Sequence, residues 1–184
     1  MTSAPQVREA PAPPTVSAIR PPARAPRPLD PSSAADHVTR LYRLALGLCG
    51  SPWLAEDLVQ ETYARVLARP RMVRGDEFSY LAGALRNVLI NHVRAEKRRG
   101  EAPGPEHLDP PDLRPTADPE TAALIRELYR TIEELPDDQR HVVSAVDLAG
   151  MTYAQAASLL GVPKGTVMSR LYRGRERIAL ALEL

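Results

Sequence analysis

The placement of proline decides which parts of this 184-residue chain can form regular secondary structure. Nine of its 19 prolines lie in the first 31 residues, and six more lie between Glu101 and Pro119. Because proline lacks an amide hydrogen and clashes with the preceding helical turn, neither stretch can hold a continuous helix or a central strand. Two blocks can fold, about residues 34–99 and 120–184. The chain is therefore predicted to contain two small domains joined by a linker.

We expect residues 1–33 to be a disordered extension. Alanine, arginine and serine separate its prolines, and such a segment buries too little apolar surface to offset the entropy lost on ordering. It also lacks the apolar core of a signal peptide. Deleting residues 1 to about 31 is accordingly expected to leave thermal stability and partner binding nearly unchanged.

Residues 100–119 are predicted to form an extended acidic linker. The stretch contains five acidic residues and a single strong cation, Arg114, and its prolines exclude regular structure. The net charge of +1 therefore conceals basic helices on either side of an acidic tether. Net charge alone would argue against a nucleic-acid-binding protein, whereas this segregation permits one.

Composition also argues against membrane insertion, metal binding and catalysis. No run of about 18 apolar residues occurs, so no transmembrane helix is expected. The single cysteine, Cys49, excludes an internal disulfide and is expected to be a buried, inert thiol in a cytoplasmic protein. Neither metal-ligand spacing, nor a glycine-rich phosphate loop, nor a nucleophile elbow is present. We therefore expect no metal, no cofactor and no enzymatic activity.

The first block is predicted to contain three helices and no sheet, because apolar residues repeat at helical spacing and few windows alternate with period two. The helices are expected over 36–48, from the Ser51 cap with Pro52 at the first position, and from about Glu77 to Arg99. The side chains predicted to face inward are Val38, Leu41, Tyr42, Ala45 and Leu48; then Trp53, Leu54, Leu58, Val59, Tyr63, Val66 and Leu67; then Phe78, Leu81, Leu85, Val88, Leu89 and Val93.

The outer faces of the second and third helices carry polar side chains. In the second helix these include Asp57, Gln60, Glu61 and Arg65, and in the third Arg86, Asn87, Asn91 and Arg94. Asn87, Asn91 and Arg94 are spaced four and three apart, so they share one face. Such side chains can hydrogen-bond to exposed base edges as well as to phosphates. Both faces also fit the simpler role of keeping a helix soluble.

Residues 152–177 predict a helix, a sharp turn and a second, basic helix. Thr152 and Gln155 can form a capping box, and Gly161 suits a left-handed turn. Val167 and Leu171 lie four apart on one buried face. The other faces carry Lys164, Thr166, Ser169, Arg170 and Arg173. This pattern is typical of a helix-turn-helix whose second helix enters a major groove, although a plain helical hairpin with a solvated basic face remains an alternative.

Four segments in this order resemble bacterial RNA polymerase sigma factors: AEDLVQETYARVL, LRNVLINHVRAEKRR, ELPDDQRHVV and TYAQAASLLGVPKGTVMSRLYRGRERI. The resemblance covers about residues 34–182 and is closest to the compact extracytoplasmic-function (ECF) class of the sigma-seventy superfamily. It implies an all-α fold of two small helical domains. Sigma domain 2, with a three-helix core, would span 34–99; sigma domain 4, with four helices including the helix-turn-helix, would span 120–184.

The resemblance also implies a function and partners. A sigma factor binds core RNA polymerase, recognises the minus-thirty-five and minus-ten promoter elements and starts DNA melting. The expected partners are the clamp helices of the largest polymerase subunit, the flap of the second-largest subunit, promoter DNA in double- and single-stranded form, and an anti-sigma factor.

Site residues follow from the resemblance position by position. Those matching the helix that docks on the clamp helices are Asp57, Gln60, Glu61 and Arg65. The loop around Arg71 to Glu77 and the helix after it match the element that captures an unstacked minus-ten base; the residues assigned to it are Arg71, Arg74, Tyr80, Arg86, Asn87, Asn91 and Arg94. Those matching the minus-thirty-five helix are Lys164, Thr166, Met168, Ser169, Arg170 and Arg173.

The chain departs from the family pattern at several positions. Asn91 stands where many relatives carry Asp, Tyr80 where they often carry Trp, and Met168 where Lys or Arg is common. Residues 82–84, AGA, replace a bulkier and more polar run. The promoter sequence is therefore not carried over from other members. The competing interpretation is a stand-alone helix-turn-helix regulator, which would need neither the acidic docking helix nor the asparagine-bearing helix.

Overall fold

The computed structural model describes residues 25–99 and 118–183, and most of these residues are helical. The elements are β1 (Arg27–Pro28), α1 (Pro31–Ala35), α2 (Val38–Cys49), α3 (Pro52–Leu67), β2 (Met72–Val73), α4 (Glu77–Arg99), α5 (Pro119–Glu133), α6 (Asp137–Val143), a π-helical segment (Ser144–Leu148), α7 (Tyr153–Leu160) and α8 (Lys164–Ala181). The predicted all-α class is confirmed, with one minimal two-stranded sheet added.

Helices α2, α3 and α4 form the first domain. Its core contains Leu41, Leu44, Leu58, Phe78 and Leu85, all essentially inaccessible to solvent. The helix ends follow the local signals in the sequence. Gly50 ends α2 in the left-handed conformation with φ 70°, and the Ser51 hydroxyl accepts the Leu54 amide at 3.4 Å to cap α3.

Helices α5 to α8 form the second domain. Val142, Val143, Val167 and Leu171 are its buried core. Gly174 allows α8 to cross close to α6, since a Cβ atom on it would lie 2.8 Å from the Val143 Cγ2.

The two domains pack against each other along α2 and α4. Helix α2 contacts α6 and the π-helical segment, and α4 contacts α7. Arg40 donates to the Ala149 carbonyl at 3.0 and 2.9 Å, and the Arg140 Nε donates to the Gly47 carbonyl at 3.2 Å. The side chains assigned to the two promoter elements are therefore carried by domains in direct contact.

The predicted disorder of residues 1–33 is wrong for residues 25–33, and the predicted absence of a sheet is wrong as well. β1 pairs antiparallel with β2, and Asp30 caps α1 by accepting the Ser32 amide at 3.0 Å. Composition misled because the partners that order this segment lie far along the chain, in the loop between α3 and α4 (residues 68–76) and at Glu77. Deleting residues 1 to 31 would remove β1, so the expectation that this deletion leaves thermal stability and partner binding unchanged is wrong. Residues 1–24 of the extension and 100–117 of the linker lie outside the described residues.

Four apolar side chains predicted to face inward are exposed: Trp53, Leu67, Val38 and Val93. Val38 and Trp53 lie in the first turns of their helices, and Val93 lies where α4 extends beyond the core. Helix α2 also begins at Val38 rather than at residue 36, because Asp36 and His37 form the turn that joins it to α1.

Candidate nucleic-acid and protein interfaces

The helix-turn-helix has the local geometry that its sequence predicts. The Thr152 amide donates to the Gln155 side chain at 2.7 Å, and the Gln155 amide donates to the Thr152 hydroxyl at 3.3 Å, which completes the capping box. Gly161 is left-handed with φ 71°. Val167 and Leu171 are buried beneath α8. The capping box, the turn and the buried face are all confirmed.

The outward face of α8 is basic and accessible near the helix start. The exposed members of the assigned set are Lys164, Met168, Ser169 and Arg173, while Thr166 and Arg170 are half-buried. Arg173 is held along the helix, since its Nε donates to the Ser169 carbonyl at 3.3 Å. This face presents donors of the kind that bind phosphates and guanine edges in a major groove.

Arg170 differs from Arg173 because a carboxylate of another helix holds it. Its Nε lies 3.0 Å from an Asp138 carboxylate oxygen of α6, and its side chain is only 27% exposed. A second arginine of α8, Arg175, donates to the Asp147 carboxylate of the π-helical segment at 3.0 Å. Sequence reasoning did not single out Asp138 or Asp147, whose acidic side chains orient cations on α8.

The polar set on α3 forms an accessible surface. Asp57, Gln60, Glu61 and Arg65 are exposed, and Arg65 pairs with Glu61 one turn away. Trp53 lies one turn before Asp57 on the same face and is 64% exposed. A large exposed aromatic beside charged side chains is typical of a protein-binding surface rather than a solubilising one. Sequence periodicity places Trp53 in the core, so its position on this surface is not predicted from the sequence.

The third set lies on α4 and on the α3–α4 loop (residues 68–76). Asn87, Asn91 and Arg94 are exposed along one face of α4, and Arg71 and Arg74 are exposed on the loop. Gly75 turns the loop with φ 86°. Asp76 then accepts the Ser79 amide at 2.8 Å at the start of α4. Cationic and amide groups are thus exposed on one face of α4 and on the loop that precedes it, which suits an unstacked nucleic-acid strand.

A cavity of about 450 Å³ opens between this α4 surface and α7. The residues lining it are Ser79, Tyr80, Gly83, Ala84, Arg86, Asn87, Ser158 and Leu159. The small residues of the AGA run therefore have a structural role, because Ala82 is buried in the core while Gly83 and Ala84 leave the space open.

Helix α7 also bonds to the base of the α3–α4 loop. The Gln155 Nε2 donates to an Asp76 carboxylate oxygen at 3.1 Å and to the Ser79 hydroxyl at 3.0 Å. These bonds hold α7 beside the part of α4 that carries Tyr80, Arg86 and Asn87.

Cys49 is partly buried, and its thiol donates to the Ser51 carbonyl at 3.3 Å. Burial raises the pKa of this thiol to about 11, which makes it a poor nucleophile at neutral pH. In the described ranges, no cluster of three or more potential metal ligands occurs and no helix is long and apolar enough to cross a bilayer.

Comparisons with known proteins match both domains. The model of sigma-70 region 2 matches residues 34–99, and the model of sigma-70 region 4 matches residues 125–178. The ECF RNA polymerase sigma-E factors of Salmonella typhimurium and of Escherichia coli K12 are both 31% identical over 134 residues, covering 66% of this chain and 70% of theirs. The chain belongs to the ECF family of RNA polymerase sigma factors.

This ECF sigma factor matches one further relative over a smaller share of that relative's length, and it shares its fold with two solved structures. The ECF sigma factor SigE of Mycolicibacterium smegmatis is 33% identical over 146 residues, and this chain spans 57% of its length. The sigma factor RpoE of Bartonella quintana, solved with the anti-sigma factor NepR, superimposes with a TM-score of 0.66 at 24% identity over 83% of this chain and 96% of that one. CnrH, solved with the cytosolic domain of CnrY, gives 0.52 at 17% identity over 83% and 86%.

Proposed function

We propose that three separate surfaces of this chain divide the work of transcription initiation. Family membership makes the chain an RNA polymerase-binding, promoter-recognising factor. In our assignment α3 docks on the clamp helices of the largest polymerase subunit and the second domain contacts the flap of the second-largest. The α3–α4 loop and α4 capture single-stranded minus-ten DNA, and α8 reads the minus-thirty-five element.

The observation that carries this assignment is the chemical difference between the surfaces. The α3 face joins exposed carboxylates to Trp53, which suits a protein partner. The α4 face and the loop combine Arg71, Arg74, Asn87 and Asn91, which suits bases and phosphates of a melted strand. The start of α8 is basic and projects from a helix-turn-helix, which suits duplex DNA.

The two domains pack against each other in this structure, an arrangement called here the closed form, and they must separate when the chain binds a promoter. The two elements are separated by roughly 25 base pairs, or about 85 Å of duplex at 3.4 Å per base pair. Domains in contact through Arg40 and Ala149 cannot reach both elements at once. The closed form is therefore a state in which promoter recognition is unavailable, and polymerase binding separates the domains.

We infer that an anti-sigma factor holds this chain in the closed form in the cytoplasm. The Bartonella quintana protein was solved with an anti-sigma factor and CnrH with the cytosolic domain of CnrY, and both share this fold over 83% of the chain. In this account the chain carries no catalytic activity of its own, because the polymerase performs the chemistry.

The test mixes the purified chain with core polymerase and genomic DNA fragments, then maps transcript ends and protected DNA. We expect co-elution with core enzyme and two protected elements roughly 25 base pairs apart, or about two and a half helical turns. Specific binding to duplex DNA by the chain alone, with no co-elution and no transcripts, would instead support the stand-alone regulator. The matches to two sigma regions in the family's order disfavour that second function.

A further inference from the structure

A short segment near the start of the chain is tied to the α3–α4 loop by backbone pairing. Arg27 lies opposite Val73, and Pro28 lies opposite Met72, in the antiparallel β1–β2 pair. The Leu29 amide donates to the Arg71 carbonyl at 2.8 Å. This pairing fixes which side chains of the loop face the domain and which face solvent. Val73 is buried, whereas Met72 and Arg74 are exposed.

Glu77, at the start of α4, is the side-chain centre of the same connection. Its carboxylate accepts from the Arg27 Nη2 at 3.1 Å and from the Ser33 hydroxyl at 2.8 Å. Its side chain is only 4% exposed. A carboxylate at this depth is costly unless it is paired, and both of these partners come from the segment that precedes α2.

The segment is itself anchored to the first domain. The Tyr63 hydroxyl of α3 donates to the Ala34 carbonyl at 2.6 Å, and Ala34 is fully buried. Asp30 caps α1 and also accepts from the Ser32 hydroxyl at 2.7 Å. Residues 27–34 therefore connect the rigid core of the domain to a loop that carries Gly75 and Pro70 and has little regular structure of its own.

We propose that residues 27–34 form a clamp that holds the α3–α4 loop in the conformation that presents Arg71 and Arg74 to single-stranded minus-ten DNA, with Glu77 as its positioning residue. The proposal rests on the proposed function, since it takes the loop to be the DNA-capturing element. Glu77 touches no DNA in this account. It acts by ordering the loop before binding, so that less ordering entropy is lost when the strand is captured.

The first test uses the full-length chain in complex with core polymerase. The probe is a single-stranded DNA oligonucleotide selected from a random pool for binding to the wild-type complex. Glu77→Gln and Arg27→Ala should each weaken probe binding by about tenfold, because the loop must then be ordered at the expense of binding free energy. Discrimination against base-substituted probes should fall as well, while co-elution with core polymerase stays unchanged.

A matched pair at Leu29 separates the clamp from simple packing. Leu29→Pro removes the amide that donates to Arg71, whereas Leu29→Ala keeps that amide and shortens the side chain. Amide hydrogen exchange of residues 71–76 should accelerate more in Leu29→Pro than in Leu29→Ala, and probe affinity should follow the same order. Deletion of residues 2–24 retains every clamp contact and should behave as wild type, whereas deletion of residues 2–35 should behave as Leu29→Pro.

Two outcomes would overturn the clamp. Unchanged exchange of the loop in Glu77→Gln and Leu29→Pro would show that the segment does not order it. Faster exchange with unchanged probe affinity and discrimination would show that this order does not serve DNA capture. The double variant Arg71→Ala with Arg74→Ala separates the clamp proposal from the proposed DNA-capturing role of the loop. If this variant loses probe binding while the clamp variants keep it, only the clamp proposal is wrong. If the double variant binds the probe as wild type does, the proposed role of the loop is wrong as well.

Discussion

Gly47 of α2 and Ser144 of the π-helical segment lie so close that a Cβ atom on residue 47 would overlap the Ser144 Oγ. Both residues are buried, and they belong to different domains. Arg140 strengthens the same contact by donating to the Gly47 carbonyl at 3.2 Å. The two domains can therefore approach this closely only while residue 47 lacks a side chain.

Gly47→Ala should open the closed form without unfolding α2, because alanine is more favourable than glycine inside a helix. We expect a larger radius of gyration by small-angle scattering and tighter binding to core polymerase, since a competing closed state lowers the apparent affinity. Adding Ser144→Gly in the same chain removes the clashing atoms and should restore the compact form. An unchanged radius for Gly47→Ala would mean that the domains do not pack in this way in solution.

Docking on the polymerase should depend on the exposed face of α3. Asp57→Arg with Glu61→Arg should abolish co-elution with core enzyme while the circular dichroism spectrum stays helical, because charge reversal on an exposed face seldom unfolds a helix. Glu127→Arg in α5 with Glu134→Arg directly after that helix changes net charge equally and is the matched control. Co-elution of the α3 double variant at wild-type affinity would remove the basis for this docking surface.

Trp53 should be a main contributor to the same interface. Its exposed ring would become buried against the polymerase, so Trp53→Ala should weaken core binding by more than about 1 kcal/mol. The melting temperature should fall little, since the side chain is 64% exposed in the free chain. A large loss of stability with unchanged core affinity would return Trp53 to a structural role.

The arginines of α8 should differ in what they contribute. Arg173→Ala should weaken promoter activity severely, and an arginine bidentate to guanine accounts for about 1–3 kcal/mol of discrimination. Arg170→Ala should weaken it less, and Asp138→Asn should change it too, because Asp138 holds the Arg170 guanidinium. Met168→Arg should raise DNA affinity with little regard to sequence and steepen its salt dependence. Promoter assays at two salt concentrations measure all four variants, and wild-type activity in both alanine variants would contradict the role of α8.

Cys49 should react slowly with iodoacetamide in the native chain. With its pKa raised to about 11 by burial, only about one thiol in a thousand is ionised at pH 8, and the rate should rise as the pH approaches 11. The urea-unfolded chain, with an ordinary thiol pKa, is the control. Equal rates in the native and unfolded chains would show that the thiol is not buried as described.

The parts of the fold that the sequence predicted are those set by neighbouring residues. The Thr152–Gln155 capping box, the left-handed Gly161 and the Ser51 cap each depend on contacts within a few positions, so spacing alone reveals them. The family resemblance then supplied the candidate sites.

The parts that could not be predicted depend on long-range partners. Glu77 meets Arg27 and Ser33 across 50 and 44 residues, and Arg170 meets Asp138 on another helix. Trp53 was misplaced for a different reason. Helical periodicity tells which residues share a face, but it does not tell whether that face meets the protein's own core or a partner.

The most direct test of the account is promoter opening by Asn87→Ala with Asn91→Ala. In reconstituted run-off transcription with core polymerase, this double variant should lose activity on duplex promoters and affinity for single-stranded minus-ten DNA, while it still co-elutes with core enzyme. Normal promoter opening by the double variant would contradict the assignment of α4 as the surface that captures the melted strand.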